Sequence, residues 1–513
     1  MICGRLRTFT LGIILSSVML SVGYSAPQES LHEASQFAVS NNEFAISLLR
    51  EIEKDNGESN CFYSPLSIAS ALMLALEGAR GETALEMGKT LKLPENWRQE
   101  DPMNPWTLDE ARKQIRSIMK GIPNCDASEL KNLSESIAKS RRELSDANKN
   151  VSALAMRGDW NGVNKAAGNA EMLAAKINRM SIQANPYELR IANSMWIERS
   201  MPRVQSFIGN TKTYQSELAV KSANFKNRSE EERQRINQWI ASETRNKIRD
   251  LFDAGSIRTD TRIVLANAVY FRGTWRSPFP KASTKFEDFH LASGEIEAIP
   301  MMHQSFESAA RYAAFHGDGS TYETPTRIPA DADPKIGYPG DDGFLLLELP
   351  YNGEGVALSI LIPRTPNGLP ALVSKISAES LENWHQSLVQ REVRVAIPKF
   401  RMDTNLNLKS ILVGLGMEKA FSPIAGVADF GGISSETSDP LFLSQVSHRA
   451  MVEVNEEGTE AAAATGIGLD KSPSPSKRKF IPEFRADHPF LFMIRDSKNG
   501  LILFLGAYKQ SDS

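Results

Sequence analysis

The sequence is poor in cysteine and carries almost no net charge. Among 513 residues there are three cysteines, and the formal charge at pH 7 is -3. Cys3 lies in an N-terminal segment that we expect to be removed, which leaves Cys61 and Cys125, too few for a disulfide framework. Whether these two cysteines pair stays open. The near-neutral charge provides no field that would favour nucleic acid or an anionic membrane as a partner.

Sequence motifs of catalysis are also missing. We find no Gly-x-Ser-x-Gly elbow, no His-Glu-x-x-His zinc helix, no phosphate-binding P-loop and no Cys-x-x-Cys pair. The chain has only seven histidines, and isolated ones such as His316, His385 and His488 are more often surface or hydrogen-bonded residues than catalysts. The sequence therefore predicts a protein that is not an enzyme and that requires no cofactor or metal ion.

Only one stretch is apolar enough to enter a bilayer, and it lies at the N-terminus. Arg5 and Arg7 precede an apolar run from Leu11 to Val22, and mostly small residues follow up to Ala26. This is the order of a secretory signal peptide, and the run is short for a membrane span. We predict that residues 1–26 are removed and that the mature chain is secreted, extracellular or periplasmic in a bacterium, with no membrane attachment; a retained anchor is the alternative.

The most unusual segment lies near the C-terminus. An apolar strand, Ala450 to Val454, leads through Gly458 into residues 459–465, of which only Glu460 is large. In an extended conformation alternate side chains lie on opposite faces, so Thr459, Ala461, Ala463 and Thr465 share one face, and Glu460, Ala462 and Ala464 share the other. A strand with so little bulk could enter an existing sheet without displacing neighbouring side chains.

Five motifs, taken together, point to one protein family. They are Glu456 to Thr465, Asn60 to Leu72, Leu265 to Trp275, Val393 to Phe400 and Asp487 to Phe492. In sequence, order and spacing they resemble the serpins, a family of protein inhibitors that trap proteases. The segment from Glu456 to Thr465 is very close to the hinge of that family. The resemblance covers roughly residues 35 to 510.

The resemblance implies an α+β fold for residues 27–513. We expect a single domain with a large central mixed β-sheet, further sheets, about nine helices and an exposed C-terminal reactive loop. Two stretches depart from the family. Residues about 95–185 read as a polar helical insertion, which we expect to be a solvated surface, with a polyanion site as the alternative. Residues 317–342, rich in Gly, Pro and Asp, read as a long exposed loop.

Several polar residues lie in or beside apolar runs, where a group without a hydrogen-bond partner costs roughly 1 to 3 kcal/mol. Ser64 is placed to cap the helix that begins at Pro65. The resemblance assigns Ser67, Asn267 and His448, beside Ser64, to a gate beneath the central sheet, where strands part to admit the hinge. It assigns Trp275 to packing at the top of that opening.

One position in this region departs from the family. His303 stands where many serpins carry a lysine that faces the acidic residue at the start of the hinge, here Glu456. A histidine and a carboxylate are both charged only near or below the histidine pKa, about 6.5 when unperturbed. We therefore hypothesise that loop insertion in this chain is sensitive to pH through a pair formed by His303 and Glu456.

The resemblance also implies a mechanism and a partner. A serine protease attacks the loop and forms an acyl-enzyme, and insertion of the hinge, residues 456–465, traps it as a covalent acyl complex with a monomeric inhibitor. Counting forward from the hinge favours the bond between Lys471 and Ser472, and counting back from Pro489 favours that between Arg478 and Lys479. Both predict a trypsin-like target. A bond between Leu469 and Asp470 would suit a chymotrypsin-like or elastase-like protease. The alternative function is a non-inhibitory binding or carrier protein that is merely cleaved.

Overall fold

The computed structural model describes residues 35–121, 127–183, 187–212, 214, 218–329, 333, 337–352, 355–435, 439–456 and 477–511. Three predictions therefore lie outside the described residues. These are the signal peptide, the hinge from Gly458 to Thr465, and the bonds that follow Leu469 and Lys471. Cys125 also lies outside them, and Cys61 is a buried free thiol.

The described residues contain eleven α-helices. They are α1 (Gln36–Asn56), α2 (Pro65–Leu76), α3 (Gly81–Thr90), α4 (Asp109–Gly121), α5 (Ala127–Met156), α6 (Trp160–Gln183), α7 (Gln205–Thr211), α8 (Phe225–Glu243), α9 (Leu369–Lys375), α10 (Ala378–Gln386) and α11 (Leu408–Gly414).

Nineteen strands alternate with these helices. They are β1 (Cys61–Tyr63), β2 (Glu188–Glu198), β3 (Leu218–Ala223), β4 (Ile263–Arg272), β5 (Lys285–His290), β6 (Ile296–Phe306), β7 (Arg311–Phe315), β8 (Thr321–Tyr322), β9 (Arg327–Pro329), β10 (Phe344–Pro350), β11 (Val356–Pro363), β12 (Val389–Gln390), β13 (Val393–Pro398), β14 (Phe400–Asn407), β15 (Leu443–Val454), β16 (Lys477–Lys479), β17 (Glu483–Arg485), β18 (Phe490–Asp496) and β19 (Ile502–Tyr508).

Helix α2 is the apolar centre around which the sheets pack. Ser64 is its N-cap and accepts a hydrogen bond from the Ser67 backbone N–H, and Pro65 occupies the first helical position. This is the arrangement expected from the sequence, because a proline at that position has no N–H to leave unsatisfied. All twelve residues of the helix are buried, which agrees with its almost uniformly apolar sequence.

A five-stranded mixed sheet is the part of the fold that matters for function. Its strand order is β14-β15-β4-β2-β3. Strands β15 and β4 run parallel, with a register that extends from Leu443 opposite Ile263 to Val452 opposite Phe271. The neighbouring pairs β14–β15 and β2–β4 are antiparallel. The predicted mixed sheet is therefore confirmed.

Helices and further sheets cover both faces of this mixed sheet. On one face, Trp196, Val264 and Ala266 pack with Phe225, Ile236 and Ile240 of α8. On the other face, Leu265, Val269 and Phe271 of β4 join the main core with α2. An eight-stranded antiparallel sheet (β1-β19-β18-β11-β10-β7-β12, with β8 beside β7) and a four-stranded sheet (β17-β13-β6-β5) complete the core.

The helical insertion has two parts that differ in packing. Its first part joins the core, since Trp97 and Trp106, which precede α4, and Ile115 of α4 are all buried there. Helices α5 and α6 instead pack on each other, and their described side chains are mostly exposed. Residues with helical spacing, among them Ile137, Val163 and Ala170, form the buried seam of this hairpin. The insertion thus consists of α4, which packs on the core, followed by a hairpin of α5 and α6 that pack on each other.

Residues 317–342 were predicted to form a long exposed loop. Most of the described residues of this stretch are exposed and most lie outside strands, but two short strands interrupt it. Strand β8 pairs with β7, and β9 pairs with β16, about 150 residues further along the chain. Ile328 at the centre of β9 is buried, with 3% of its surface exposed. The sequence of this stretch has no apolar periodicity, and the strand that pairs with β9 is distant in the sequence. The local pattern of residues therefore could not predict the pairing.

None of the described helices is long and apolar enough to span a membrane.

Replacing residues 127–183 by a flexible Gly/Ser linker should leave the rest of the protein folded, because α5 and α6 pack mainly on each other. We expect the melting temperature to change by less than about 4 °C, the size of a change of ~1 kcal/mol. As a matched control in the docked helix, Ile115→Ala removes a core side chain and should cost about 2 to 5 kcal/mol. Calorimetry of both variants checks the assignment, and a large destabilisation by the linker would contradict it.

Candidate functional site

A row of polar side chains crosses the mixed sheet at its middle. The register places Asn193 of β2 opposite Asn267 of β4, and Asn267 opposite His448 of β15. Asn193 and Asn267 alternate with Ala192 and Ala266, which pack with α8, so their side chains point towards α2. His448 also points there, since it bonds to the Ser64 backbone at the start of α2. With Ser64 and Ser67 at the start of α2 they form a cluster in which no side chain is more than 2% exposed. We call these five residues the gate cluster.

Every member of the gate cluster has a hydrogen-bond partner within the cluster or beside it. The Ser67 hydroxyl donates to Asn193 Oδ1 at 2.8 Å and accepts from Asn267 Nδ2 at 2.7 Å. Asn267 Oδ1 bonds to His448 Nδ1, and His448 Nε2 accepts from the Ser64 backbone N–H at 3.0 Å. The bond between Asn267 and His448 joins β4 to β15, and separating the two strands must break it. The other bonds join β2, β4 and β15 to α2.

The two bonds of His448 require a neutral imidazole. Nδ1 must carry its proton to donate to Asn267, and Nε2 must be bare to accept from Ser64. Burial of the ring lowers the pKa of His448 from 6.5 to about 3, because desolvation disfavours the charged form. His448 is therefore neutral throughout the physiological range.

The gate cluster does not have the geometry of a serine nucleophile. The Ser64 hydroxyl donates to the carbonyl oxygen of Leu503 at 2.8 Å, and the Ser67 hydroxyl donates to Asn193. His448 contacts the Ser64 backbone N–H and not a hydroxyl. Neither serine thus has a general base of the kind that activates a nucleophile. Among the described residues there is also no group of side chains that could hold a metal ion.

A second set of contacts holds the end of β15, where the chain leaves the sheet. Trp275 is buried and donates from Nε1 to the carbonyl oxygen of Asn455 at 2.8 Å. Its ring stacks on Tyr351, with ring centroids 4.5 Å apart. Trp275 was predicted to pack at the top of the sheet opening, and the structure adds this hydrogen bond to the chain just before the hinge.

The carboxyl of Glu456, the last residue described before the reactive loop, is held on both oxygens. Thr284 donates to Oε1 at 2.8 Å, and Lys399 Nζ lies 3.0 Å from Oε2. Burial opposes ionisation of this carboxyl, yet its own backbone N–H, Thr284 and Lys399 together lower the pKa of Glu456 below its ordinary value. Glu456 is therefore an ionised anchor at the start of the predicted hinge.

The predicted pairing of His303 with Glu456 is wrong. His303 lies on β6, and its Nε2 is 3.0 Å from Oε1 of Glu287 on β5. Glu287 is also bound by Arg485. Lys399 occupies the position beside Glu456. The charged partner of Glu456 is therefore Lys399, and His303 pairs with a different carboxylate.

Sequence reasoning missed two residues of the site. Asn193 is the centre of the gate cluster, and Ala192-Asn193-Ser194 repeats the pattern of Ala266-Asn267-Ala268 in another buried strand. That repetition is a signal that could have found it. Lys399 follows Pro398 at the end of β13, and nothing in its local sequence indicates that it faces Glu456.

The far side of the reactive loop is described from Lys477 onwards. Lys477–Lys479 form β16, which pairs with β9, so one of the alternative reactive bonds, between Arg478 and Lys479, lies within a β-ladder. Lys479 forms an ion pair with Glu392. Strand β17 then pairs in parallel with β13, and the chain enters β18 in the core.

Comparison with known proteins agrees with the fold. The family described as "Serpin (serine protease inhibitor)" matches residues 39–510. The chain therefore belongs to the serpin family. It is 32% identical over 470 residues to Serpin B4 of Homo sapiens, covering 91% of this chain and 97% of that protein. It is 30% identical over 481 residues to the leukocyte elastase inhibitor of Homo sapiens, covering 92% and 99%.

Solved structures show the same fold. Uncleaved ovalbumin matches with a TM-score of 0.65 and 24% sequence identity, covering 92% of this chain and 99% of ovalbumin. Native protease nexin-1, solved with heparin, matches with a TM-score of 0.63 and 23% identity, covering 92% and 99%. These likenesses define the architecture as that of a serpin.

The neutral His448 should make the stability of the protein fall with acid. The unfolded chain binds a proton at His448 near pH 6.5 and the folded chain near pH 3, so stability is full above pH 6.5. It falls below that pH by up to ~1.4 kcal/mol per unit. Between pH 7.5 and pH 5, His448→Gln should lose about 2 kcal/mol less than the wild type. Denaturant unfolding at both pH values measures this, and parallel losses in the two proteins would contradict the assignment.

The Glu456 anchor should couple to Lys399 and not to His303. In a double-mutant cycle, Lys399→Met with Glu456→Gln should give a coupling of about 0.5 to 1 kcal/mol, reduced by the half-exposed lysine. The matched cycle of His303→Gln with Glu456→Gln should give a coupling near zero at pH 8 and at pH 5.5. Unfolding free energies of the single and double variants supply both values. A coupling to His303 that appears at pH 5.5 would restore the original hypothesis.

Proposed function

We propose that this chain is a secreted inhibitor of serine proteases that acts as a suicide substrate, with a trypsin-like target. The relatives named above support inhibition, since one is named for the inhibition of leukocyte elastase and is similar over nearly its whole length. The order of residues 1–26 supports secretion. The observation that carries the proposal is the parallel pairing of β15 with β4.

The parallel pair creates a place for one additional strand. The chain leaves β15 at Val454, at the same end of the sheet where β4 ends. If it reversed direction after Glu456, the following residues would run antiparallel to both strands. Such a strand would replace one parallel ladder by two antiparallel ladders, which are slightly more stable per residue. Insertion is thus favourable once the gate cluster opens.

The composition of the hinge suits this insertion. Residues 458–465 contain no proline and no bulky apolar side chain. A central strand needs a backbone N–H at every ladder position, which proline lacks. Side chains as small as alanine and threonine can enter between packed neighbours at little steric cost. We therefore propose Glu456, Gly458 and Thr459–Thr465 as the hinge.

Insertion would convert cleavage into trapping. The protease forms an acyl-enzyme with the loop, and release of stored strain in the serpin loop is an established example of such a switch. About 15 inserted residues at roughly 3.3 Å each would carry the tethered protease on the order of 50 Å. If insertion is faster than deacylation, the acyl bond persists because the protease active site is distorted.

We propose Lys471 and Ser472 as the reactive bond. It keeps the inserted strand near the usual length for the family, and a lysine on the acyl side fits the acidic pocket of a trypsin-like protease. The products are then an N-terminal part that carries the acylated protease and a C-terminal peptide that begins at Ser472. The inhibitor acts as a monomer, and the protease is its partner.

A denaturing gel tests the proposal directly. The mature protein is mixed with trypsin, chymotrypsin or elastase, and the C-terminal peptide is mapped by mass. We expect a band at the summed mass with trypsin and a peptide that begins at Ser472. Complete cleavage of the loop by all three proteases, with no such band, would favour the alternative, a binding protein of the same fold that is merely a substrate.

A proline in the hinge should convert the inhibitor into a substrate. Ala462→Pro removes a ladder N–H from the inserted strand, so insertion should be slower than deacylation. The yield of covalent complex with trypsin should fall at least about tenfold, a barrier change of ~1.4 kcal/mol, while the loop is still cut. Ser476→Pro, the same kind of change beyond the proposed bond, should leave the yield unchanged. Equal yields for Ala462→Pro and the wild type would contradict the mechanism.

A further inference from the structure

One of the two regions in which the sequence departs from its family, residues 317–342, meets the far end of the reactive loop in the structure. Strand β9, from the insertion at 317–342, pairs with β16 at the far end of the reactive loop. The register sets Lys477 opposite Pro329, Arg478 opposite Ile328 and Lys479 opposite Arg327. The Phe480 backbone N–H extends the ladder by donating to Thr326 O at 2.9 Å. The loop is therefore fastened to the inserted segment before it joins the core.

A two-stranded ladder is marginal by itself, and here buried side chains support it. Ile328 is 3% exposed and Phe480 is 7% exposed. The Phe480 ring packs edge-on against Tyr338, with centroids 5.5 Å apart, and it lies directly over Gly337. A Cβ added at Gly337 would be 2.1 Å from Phe480 Cζ. Only glycine at position 337 lets the ring take this place.

Tyr338 holds the chain again three residues further along. Its hydroxyl accepts from the Glu483 backbone N–H at 2.6 Å and donates to Glu483 O at 3.3 Å. The Arg364 guanidinium lies over the Tyr338 ring at 4.8 Å, which favours that ring position. We call β9, β16, Gly337, Tyr338 and Phe480 the clasp.

The β16 strand of the clasp consists of three consecutive basic residues. Lys477, Arg478 and Lys479 would each serve a trypsin-like protease as the residue before a cut. A protease binds its substrate as an extended segment whose main-chain groups are free to pair with the enzyme. In an antiparallel ladder alternate residues turn these groups to the partner strand. Phe480 donates to Thr326, so Arg478, two residues earlier and opposite Ile328, has its main-chain groups on the β9 side, and its neighbours are held in the same ladder. Cleavage there requires local opening first, and its rate follows the population of the opened form.

We propose that the clasp is a specificity-determining element that withholds the bonds after Lys477, Arg478 and Lys479 from basic-specific proteases. It confines their attack to the part of the loop that precedes β16. This inference deepens the proposed function, on which its inhibitory consequence rests. A cut after Arg478 would lengthen the segment to be inserted and require β16 to peel from β9, whereas a cut upstream leaves the clasp intact.

Limited digestion of the whole mature protein with trypsin tests the clasp. Initial rates are measured by mass spectrometry for fragments that begin at Arg478, Lys479 or Phe480. In the wild type we expect these fragments to form more slowly than those from cuts upstream of Lys477. Gly337→Ala drives the Phe480 ring from its place, and should raise their rate at least about tenfold, as expected when opening becomes ~1.4 kcal/mol easier.

Two further variants make the result specific. Gly340→Ala adds the same methyl group in the same insertion, where the nearest atom is Asp342 Oδ1 at 3.3 Å, and should digest like the wild type. Phe480→Ala removes the ring from the loop side of the clasp and should raise the rate of the three cuts as much as Gly337→Ala does. It tests the clasp even if the Gly337→Ala variant folds poorly. Equal rates in the wild type and Phe480→Ala, whether fast or slow, would overturn the proposal.

The readout separates this inference from the proposed function. It counts the bonds that trypsin cuts and does not depend on formation of a covalent complex. If no complex forms but the three bonds remain protected until Phe480 is removed, the inhibitory function fails and the clasp stands. If a complex forms and the bonds are equally open in the wild type and in Phe480→Ala, the clasp fails and the inhibitory function stands.

Discussion

The parallel contact between β4 and β15 is the constraint on which the rest of the structure depends. On the face of the sheet that packs on α2, the gate cluster holds the two strands together. There a neutral His448 bonds to Asn267 and to the backbone at the start of α2. At the top, Trp275 and Lys399 hold Asn455 and Glu456. These contacts are numerous enough to keep the strands together, and each is a hydrogen bond or a partly exposed ion pair of modest net strength. The proposed insertion of the hinge requires that these contacts break.

Much of this arrangement could be predicted from the sequence, because its signals are local. Ser64 and Pro65 marked the start of α2. The family resemblance then placed Ser67, Asn267 and His448 in one cluster, and the structure brings them together. The role of the hinge rests on residues outside those described and stays a proposal.

The predictions that the structure corrects share one physical cause. In each case the local structure depends on a contact with a residue that is distant in the sequence. His303 was assigned to Glu456 because of its position in the family, but the residue that faces Glu456 is Lys399 on another strand. Residues 317–342 looked irregular because β9 gains its order from β16 and from Phe480. The whole fold determines which strands pair when the segments are far apart in sequence. The composition and the hydrophobic periodicity of one segment therefore cannot predict such a pairing.

The central claim is that the contact between β4 and β15 admits the hinge as a new strand after the loop is cut. The most direct measurement is hydrogen exchange, with thermal unfolding, before and after a single cut in the loop. The account predicts slower exchange in β4 and β15 and a melting temperature raised by tens of degrees, towards the range above about 90 °C that marks hyperstable proteins. Unchanged exchange and melting after complete cleavage would show that the sheet stays closed, and would contradict the account.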